Sequence, residues 1–336
     1  MGDSGFVRII GPKPRACGCK GIRSCTLCKE LTNDRQQTLA PERTFSYCID
    51  CKKAWHIEPT SPQQNSDSFN KSSATDKCVA IDIHNNGTSV DTCPANGFIR
   101  PGECPNAKLG VIDDVIKSTC SHVNASHVID FEGIAIIENF ITEEEEEFLN
   151  TAISSCQFVN SQSGRRKQDY GPKVNFKKQK LRTANFNGLP SYSRFIYERM
   201  KAHPYLCDFE PVELCNLEYC QQRGAHIDAH LDDMWLWGDR LVTLNLLSDS
   251  VLTFTLDSNP GVSVGVPLFR RSLTIVSSAA RDTWKHSILP EDIKERRIAM
   301  TFRELSTEFT AGGVREQEGN ELLKVALLFE GKTVNS

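Results

Sequence analysis

The chain has little of what marks a membrane or secreted protein. Across its 336 residues no apolar run approaches the ~20 residues a membrane span needs. The opening stretch, MGDSGFVRIIG, has no basic start, apolar run or small-residue cleavage site. The expectation is an intracellular chain, cytoplasmic and nuclear, whose thiols stay reduced. Phe6 stands where an N-myristoylation signal after Gly2 has Ser or Thr. The sequons at Asn70, Asn86 and Asn124 carry no weight without export. Excess positive charge is also missing: the formal net charge is −4, so only a local patch can serve nucleic acid. Apolar residues make up 39%, a low share, so part of the chain packs poorly. No fixed-period repeat and no nucleotide-binding βαβ unit is visible.

What is present falls into three zones. Residues 1–60 are rich in Cys, Lys and Arg. Residues 61–127 are rich in Ser, Asn, Asp and Thr, and read as a disordered linker that buries too little apolar area to offset chain entropy. From 128 to 336 apolar periodicity returns. Strand-like runs at 128–131 and 133–137 come first. Thr142 and Glu145 then form a capping box, followed by Phe148, Leu149 and Ile153 at helical spacing. A second helix is expected over 191–202. Short strands follow at 211–220, 226–232, 240–248, 251–256, 263–267, 273–277, 283–288 and 296–303, with a last helix over 316–328. Strands at this density with Gly and Pro between them predict a mostly β fold, a sandwich or jelly roll with flanking helices, plus a Cys-rich N-terminal segment.

His230 and Asp232 stand two apart in a strand-like stretch, so both side chains project to one face. His286, between Trp284 and Ile288, is the best third ligand. Two imidazoles and a carboxylate on one side of an ion are the facial triad of non-haem Fe(II) oxygenases, which leaves room for a chelating 2-oxo acid and O₂. Arg297 and Arg303 lie 11 and 17 residues past His286 and share a strand face. A guanidinium there would fork onto the distal carboxylate of the co-substrate. Rival readings stay open. Asp233 is a second acid, His226 and Asp228 form a second His-x-Asp, and the histidines and arginines could be ordinary core and surface residues.

The segments SGRRKQDYGPKVNF, CNLEYCQQRGAHIDAHLDDMWLWGDRLVTLNLLS, WKHSI and RRIAMTFREL resemble the AlkB-type dioxygenases, and within them the AlkB homologue 4 branch. The resemblance spans about 128–330 and the CGCKGIRSCTLC element. It implies a double-stranded β-helix, Fe(II), 2-oxoglutarate, and oxidation of an N-methyl group that leaves as formaldehyde. His230, Asp232 and His286 match the family's iron ligands, and Arg297 and Arg303 its co-substrate arginines. Asn216 and Tyr219 fall near its Asn-x-Tyr, although the spacing here is one residue longer. The branch implies a methylated lysine of actin, hence actomyosin, as substrate, and N6-methyladenine in DNA as a proposed one.

Between Arg165 and Arg182 stand eight Lys or Arg against one acid, Asp169. With Tyr170, Gly171, Pro172 and Phe176 this reads as an ordered loop over the site mouth, suited to phosphates, to an acidic protein surface, or to solvent alone. Trp235 and Trp237 could wall a methylammonium group or simply be core. Cys25 and Cys28 with Cys48 and Cys51, the two pairs 19 residues apart, have the spacing of a four-thiolate structural zinc site, with Cys17 and Cys19 as competitors. The rival to an oxygenase is a binding or scaffold protein that recruits partners through the basic loop and the Cys-rich segment. A zinc hydrolase on the same ligands lacks an evident general base.

Overall fold

The structure is a computed structural model and describes residues 43–57 and 127–333. Its strands are β1 (Arg43–Cys48), β2 (Lys53–Ile57), β3 (Val128–Asp130), β4 (Ile134–Ile137), β5 (Val159–Asn160), β6 (Arg166–Tyr170), β7 (Lys173–Asn175), β8 (Lys180–Arg182), β9 (Pro211–Tyr219), β10 (Ile227–His230), β11 (Trp237–Leu246), β12 (Ser250–Leu256), β13 (Asn259–Leu268), β14 (Leu273–Val276), β15 (Lys285–Ile288) and β16 (Arg297–Leu305). The helices are α1 (Glu143–Ser155), α2 (Arg194–Lys201), α3 (Ser278–Asp282) and α4 (Glu316–Ala326). None of them is long and apolar enough to cross a membrane.

Two seven-stranded sheets carry the fold, ordered β10-β15-β12-β13-β1-β2-β3 and β4-β14-β11-β16-β9-β6-β5. Strand parity sorts their side chains. On β11 and β16, Val242, Leu244, Leu246, Ile298, Met300 and Phe302 point outward into the main core, where Leu149 and Ile153 of α1, Ile196 and Met200 of α2, and Leu322 and Ala326 of α4 meet them. Leu241, Thr243, Arg297, Ala299, Thr301 and Arg303, of opposite parity, point into a cavity, and residues of β10, β12, β13 and β15 line it from the other sheet. The expected jelly-roll core with flanking helices is the observed fold.

Every run read as a strand from the sequence contains one. The capping box of α1 forms: Thr142 Oγ1 accepts from Glu145 N at 3.2 Å and Glu145 Oε2 accepts from Thr142 N at 2.9 Å. Phe148 departs from its expected core role and is exposed, while Glu146 turns inward beside Leu149 and Ile153. Its carboxylate accepts from Leu247 N and from Arg270, both at 2.7 Å, which satisfies the buried charge.

Two sequence readings change. The N-terminal zone does not end as a separate segment at residue 60. β1 pairs in parallel with β13, and β2 joins β1 to β3. Phe45, Tyr47 and Ala54 alternate inward and pack with Phe131, Phe254 and Val264, an apolar alternation that the surrounding Cys and Lys obscure. The basic stretch 165–182 is likewise not one loop. β6 is a sheet strand paired to β9, and only β7 and β8 form a separate hairpin. The expected linker and Cys17, Cys19, Cys25 and Cys28 lie outside the described residues.

Candidate metal centre and co-substrate cavity

β10 and β15 run antiparallel with His230 directly opposite His286. The two rings stand 4.4 Å apart, centroid to centroid. β10 stops at His230, so Asp232 reaches the same place from the irregular stretch beyond the strand and not by strand parity. One ligand atom from each of His230, Asp232 and His286 lies within 4.8 Å of the others, the one such trio among the described residues. Asp233 is not in it, and His226 and Asp228, which stand 3.7 Å apart, are not part of such a group among the described residues.

Protonation suits a cation. His230 Nδ1 lies 2.8 Å from the carbonyl of Asp228. A carbonyl only accepts, so Nδ1 is the donor there, and Nε2, 3.4 Å from Asp232 Oδ1, is the ring nitrogen turned to the trio. Burial, reinforced by neighbouring His230, pushes the His286 imidazole down to about 3, so it is neutral near pH 7, and its buried Nδ1 finds no hydrogen-bond partner. Burial alone would raise the Asp232 carboxyl, but Arg303 and the hydrogen bond from His230 hold it well below the usual range. Two imidazoles and one carboxylate match the donor set that Fe(II) takes in a facial triad.

The cavity runs from this trio toward Arg297. That arginine is 2% exposed, and among the described residues no carboxylate pairs with it. Its Nε donates to Asn245 Oδ1 at 2.5 Å, and its Nη1 has no partner among the described residues. A buried guanidinium with free donors is a strong anchor for an incoming carboxylate. Asn245, not singled out from the sequence, is oriented by three carbonyls: its Nδ2 donates to Ser248, Leu268 and Phe269 at 2.9–3.0 Å, which turns its oxygen to the arginine. Its odd number on β11, shared with Leu241 and Thr243, was the available signal.

Tyr219 is opposite Arg297 in the β9–β16 register, lines the cavity, and has the guanidinium 4.9 Å from its ring. Asn216 is a correction. Three residues from Tyr219 on a strand means the other face, and its Nδ2 donates to Gln168 Oε1 at 2.9 Å and Tyr192 Oη at 2.8 Å, away from the cavity. Leu217 takes the cavity-facing position two before Tyr219. Arg303 lines the cavity, but its partners are carboxylates: Nε donates to Asp232 Oδ2 at 2.8 Å and Nη1 to Glu213 Oε2 at 2.7 Å. It thus grips the carboxylate of the His230, Asp232 and His286 trio.

Trp235 and Trp237 are core, not cavity wall. Trp235 packs near Phe309 at 6.3 Å, and Trp237 is buried with Arg303 5.8 Å from its ring. Cys48 and Cys51 flank the turn joining β1 to β2, and Trp55 Nε1 donates to Cys51 Sγ at 3.1 Å.

No protein-family profile matches this chain. It is similar to human "Alpha-ketoglutarate-dependent dioxygenase alkB homolog 4", 38% identical over 353 residues, covering 95% of this chain and 96% of the relative. The mouse protein of the same name is 36% identical over 348 residues, with the same coverage. A Caenorhabditis elegans "DNA N6-methyl adenine demethylase" is 33% identical over 319 residues, covering 94% of this chain and 96% of its own. Among solved structures, that of OsALKBH1 aligns with 52% of this chain and 97% of its own at 11% identity and a TM-score of 0.38.

Proposed function

This chain belongs to the AlkB-type Fe(II)- and 2-oxoglutarate-dependent dioxygenases, in the AlkB homologue 4 branch, and on that premise we propose that it removes N-methyl groups from a methylated lysine of a protein such as actin, and so regulates actomyosin. The chain is a 2-oxoglutarate-dependent dioxygenase of a family of oxidative demethylases.

The observation that supports the site is the convergence of His230, Asp232 and His286 at one end of a cavity whose other end holds an unsatisfied guanidinium, Arg297. In the proposed roles, the two imidazoles and the carboxylate hold Fe(II). Arg297 and Tyr219 hold the distal carboxylate of 2-oxoglutarate, and Arg303 keeps Asp232 ionised and in place. When bound, the metal and co-substrate supply, with O₂, the oxidation of the methyl carbon, after which formaldehyde leaves and the unmethylated nitrogen remains. The apolar lining of Leu217, Ile227, Leu252, Leu268 and Ile288 keeps bulk water from the reacting atoms.

N6-methyladenine in DNA is the second reading, favoured by the name of the nematode relative. Cytoplasm and nucleus are the compartments either substrate requires. A third reading keeps the fold as a scaffold with minor catalysis. For the Cys-rich segment, we infer a four-thiolate structural zinc held by Cys48 and Cys51 together with Cys25 and Cys28, with Cys17 and Cys19 as competitors for a pair. The turn between β1 and β2 presents the first pair close together in sequence.

Anaerobic reconstitution with Fe(II) and 2-oxoglutarate is expected to give a weak visible charge-transfer band, and air is expected to give succinate. Asp232→Ala should lose both, and wild-type levels in that variant would sink the ligand assignment. Formaldehyde release is then compared on methyl-lysine actin and N6-methyladenine DNA. Release from DNA alone overturns the protein reading, and release from neither leaves the scaffold reading standing.

A further inference from the structure

The metal trio has an uneven scaffold. His230 and His286 face each other across a strand pair, so the sheet fixes both. Asp232 lies beyond the end of β10 and has no ladder to hold it. What meets its backbone is Arg281, in α3, five residues before His286: Arg281 Nη1 donates to the Asp232 carbonyl at 3.1 Å.

Arg281 is an unfavourable residue to keep there. It is 1% exposed, and both Nε and Nη2 are buried with no hydrogen-bond partner among the described residues. Among the described residues no carboxylate is hydrogen-bonded to it. A desolvated guanidinium using one of its donors destabilises the fold relative to an apolar side chain of similar volume. The one hydrogen-bond acceptor this guanidinium meets among the described residues is the Asp232 carbonyl. Arg303, on β16 of the other sheet, grips the carboxylate of the same residue. Arg281 and Arg303 therefore hold Asp232 at two points, one on the main chain and one on the side chain.

We infer that Arg281 is a positioning residue of the metal centre: by tying the main chain of Asp232 to the segment that leads into His286, it sets where the Asp232 carboxylate stands. This rests on reading His230, Asp232 and His286 as metal ligands. Arg281 does not touch the metal in this proposal and acts only through Asp232. Loss of a partner that orients a metal ligand typically weakens metal binding ~10- to 100-fold.

The test uses the full-length protein, stripped of metal and titrated with Mn(II) while the EPR signal of the free ion is followed. Its melting temperature is measured in parallel without metal. Arg281→Met should bind Mn(II) ~10- to 100-fold more weakly, with a metal-free melting temperature equal to or above that of the wild type. Arg281→Lys, which retains one donor, should recover much of the affinity and covers the case in which the methionine variant does not fold. Wild-type Mn(II) affinity in a folded Arg281→Met overturns the inference; should that variant not fold, an affinity in Arg281→Lys as low as that of Asp232→Ala overturns it. So does a loss of metal-free stability in step with the loss of affinity, the mark of a merely structural role. If the wild type itself binds Mn(II) no better than Asp232→Ala, the ligand assignment fails and not the role of Arg281.

Discussion

At the scale of single residues, the cavity separates groups that bind from groups that only fold. Arg297 has free donors in a desolvated site, and hydrogen bonds to a charged partner contribute about 1.5–3 kcal/mol. Arg297→Met is therefore expected to raise the KM for 2-oxoglutarate ~10- to 100-fold with a much smaller fall in kcat at saturation. Steady-state kinetics check this, and an unchanged KM would remove Arg297 from the co-substrate site. Asn216→Ala makes the opposite test. Its amide bonds Gln168 and Tyr192 on the far face of β9, so KM should stay put while stability drops by ~1–3 kcal/mol in urea unfolding. A raised KM in that variant would restore the role that strand parity removes.

Elements are held by contacts that can be tried one at a time. Glu218 on β9 accepts from Arg166 at 2.5 Å, Arg223 at 2.7 Å and Arg296 at 2.9 Å. Burial pushes its carboxyl up, but the hydrogen bonds and charges of these arginines outweigh that and hold it at about 2 instead of 4.5. A depressed carboxyl contributes stability that is complete above its unfolded value and is lost as pH falls through its folded one. Stability should decline between pH 4.5 and about 2, and Glu218→Gln should flatten that part of the profile, with a maximum effect of ~3 kcal/mol. Denaturant unfolding across that pH range is the check, and an unchanged acid slope would count against the cluster. In α4, a Cβ on Gly319 would meet the carbonyl oxygen of Phe309 at 1.9 Å. Gly319→Ala should therefore lift the helix off its neighbour and lower the melting temperature, despite the better intrinsic helix propensity of alanine. A higher melting temperature would show that the backbone can yield there.

For the whole molecule, the test is where the folding unit begins. Because β1 buries Phe45 and Tyr47 against the first sheet and Tyr47 Oη donates to the Ile134 carbonyl at 3.2 Å, residues 127–336 expressed alone should be aggregation-prone or melt well below the full chain. Removal strips a paired strand from β13 and uncovers Phe131, Phe254 and Val264. A soluble fragment with the full chain's melting temperature would make β1 and β2 an accessory. The zoning by composition missed this because the six residues of β1 carry only a short alternation among polar neighbours, and its partner lies more than two hundred positions away in sequence.

Local patterns were enough to read the strands of the core and the capped helix at Thr142, while residue chemistry together with the likeness to a known family singled out His230, Asp232, His286, Arg297 and Arg303 as candidates. Register between distant strands decided the rest: that Asn216 faces away from Tyr219's cavity, that Asn245 turns its oxygen to Arg297, that Arg303 grips Asp232, and that Arg281 meets a carbonyl beyond the end of β10. Such registers follow from packing both sheets at once around a shared interior, and no window of sequence contains that information.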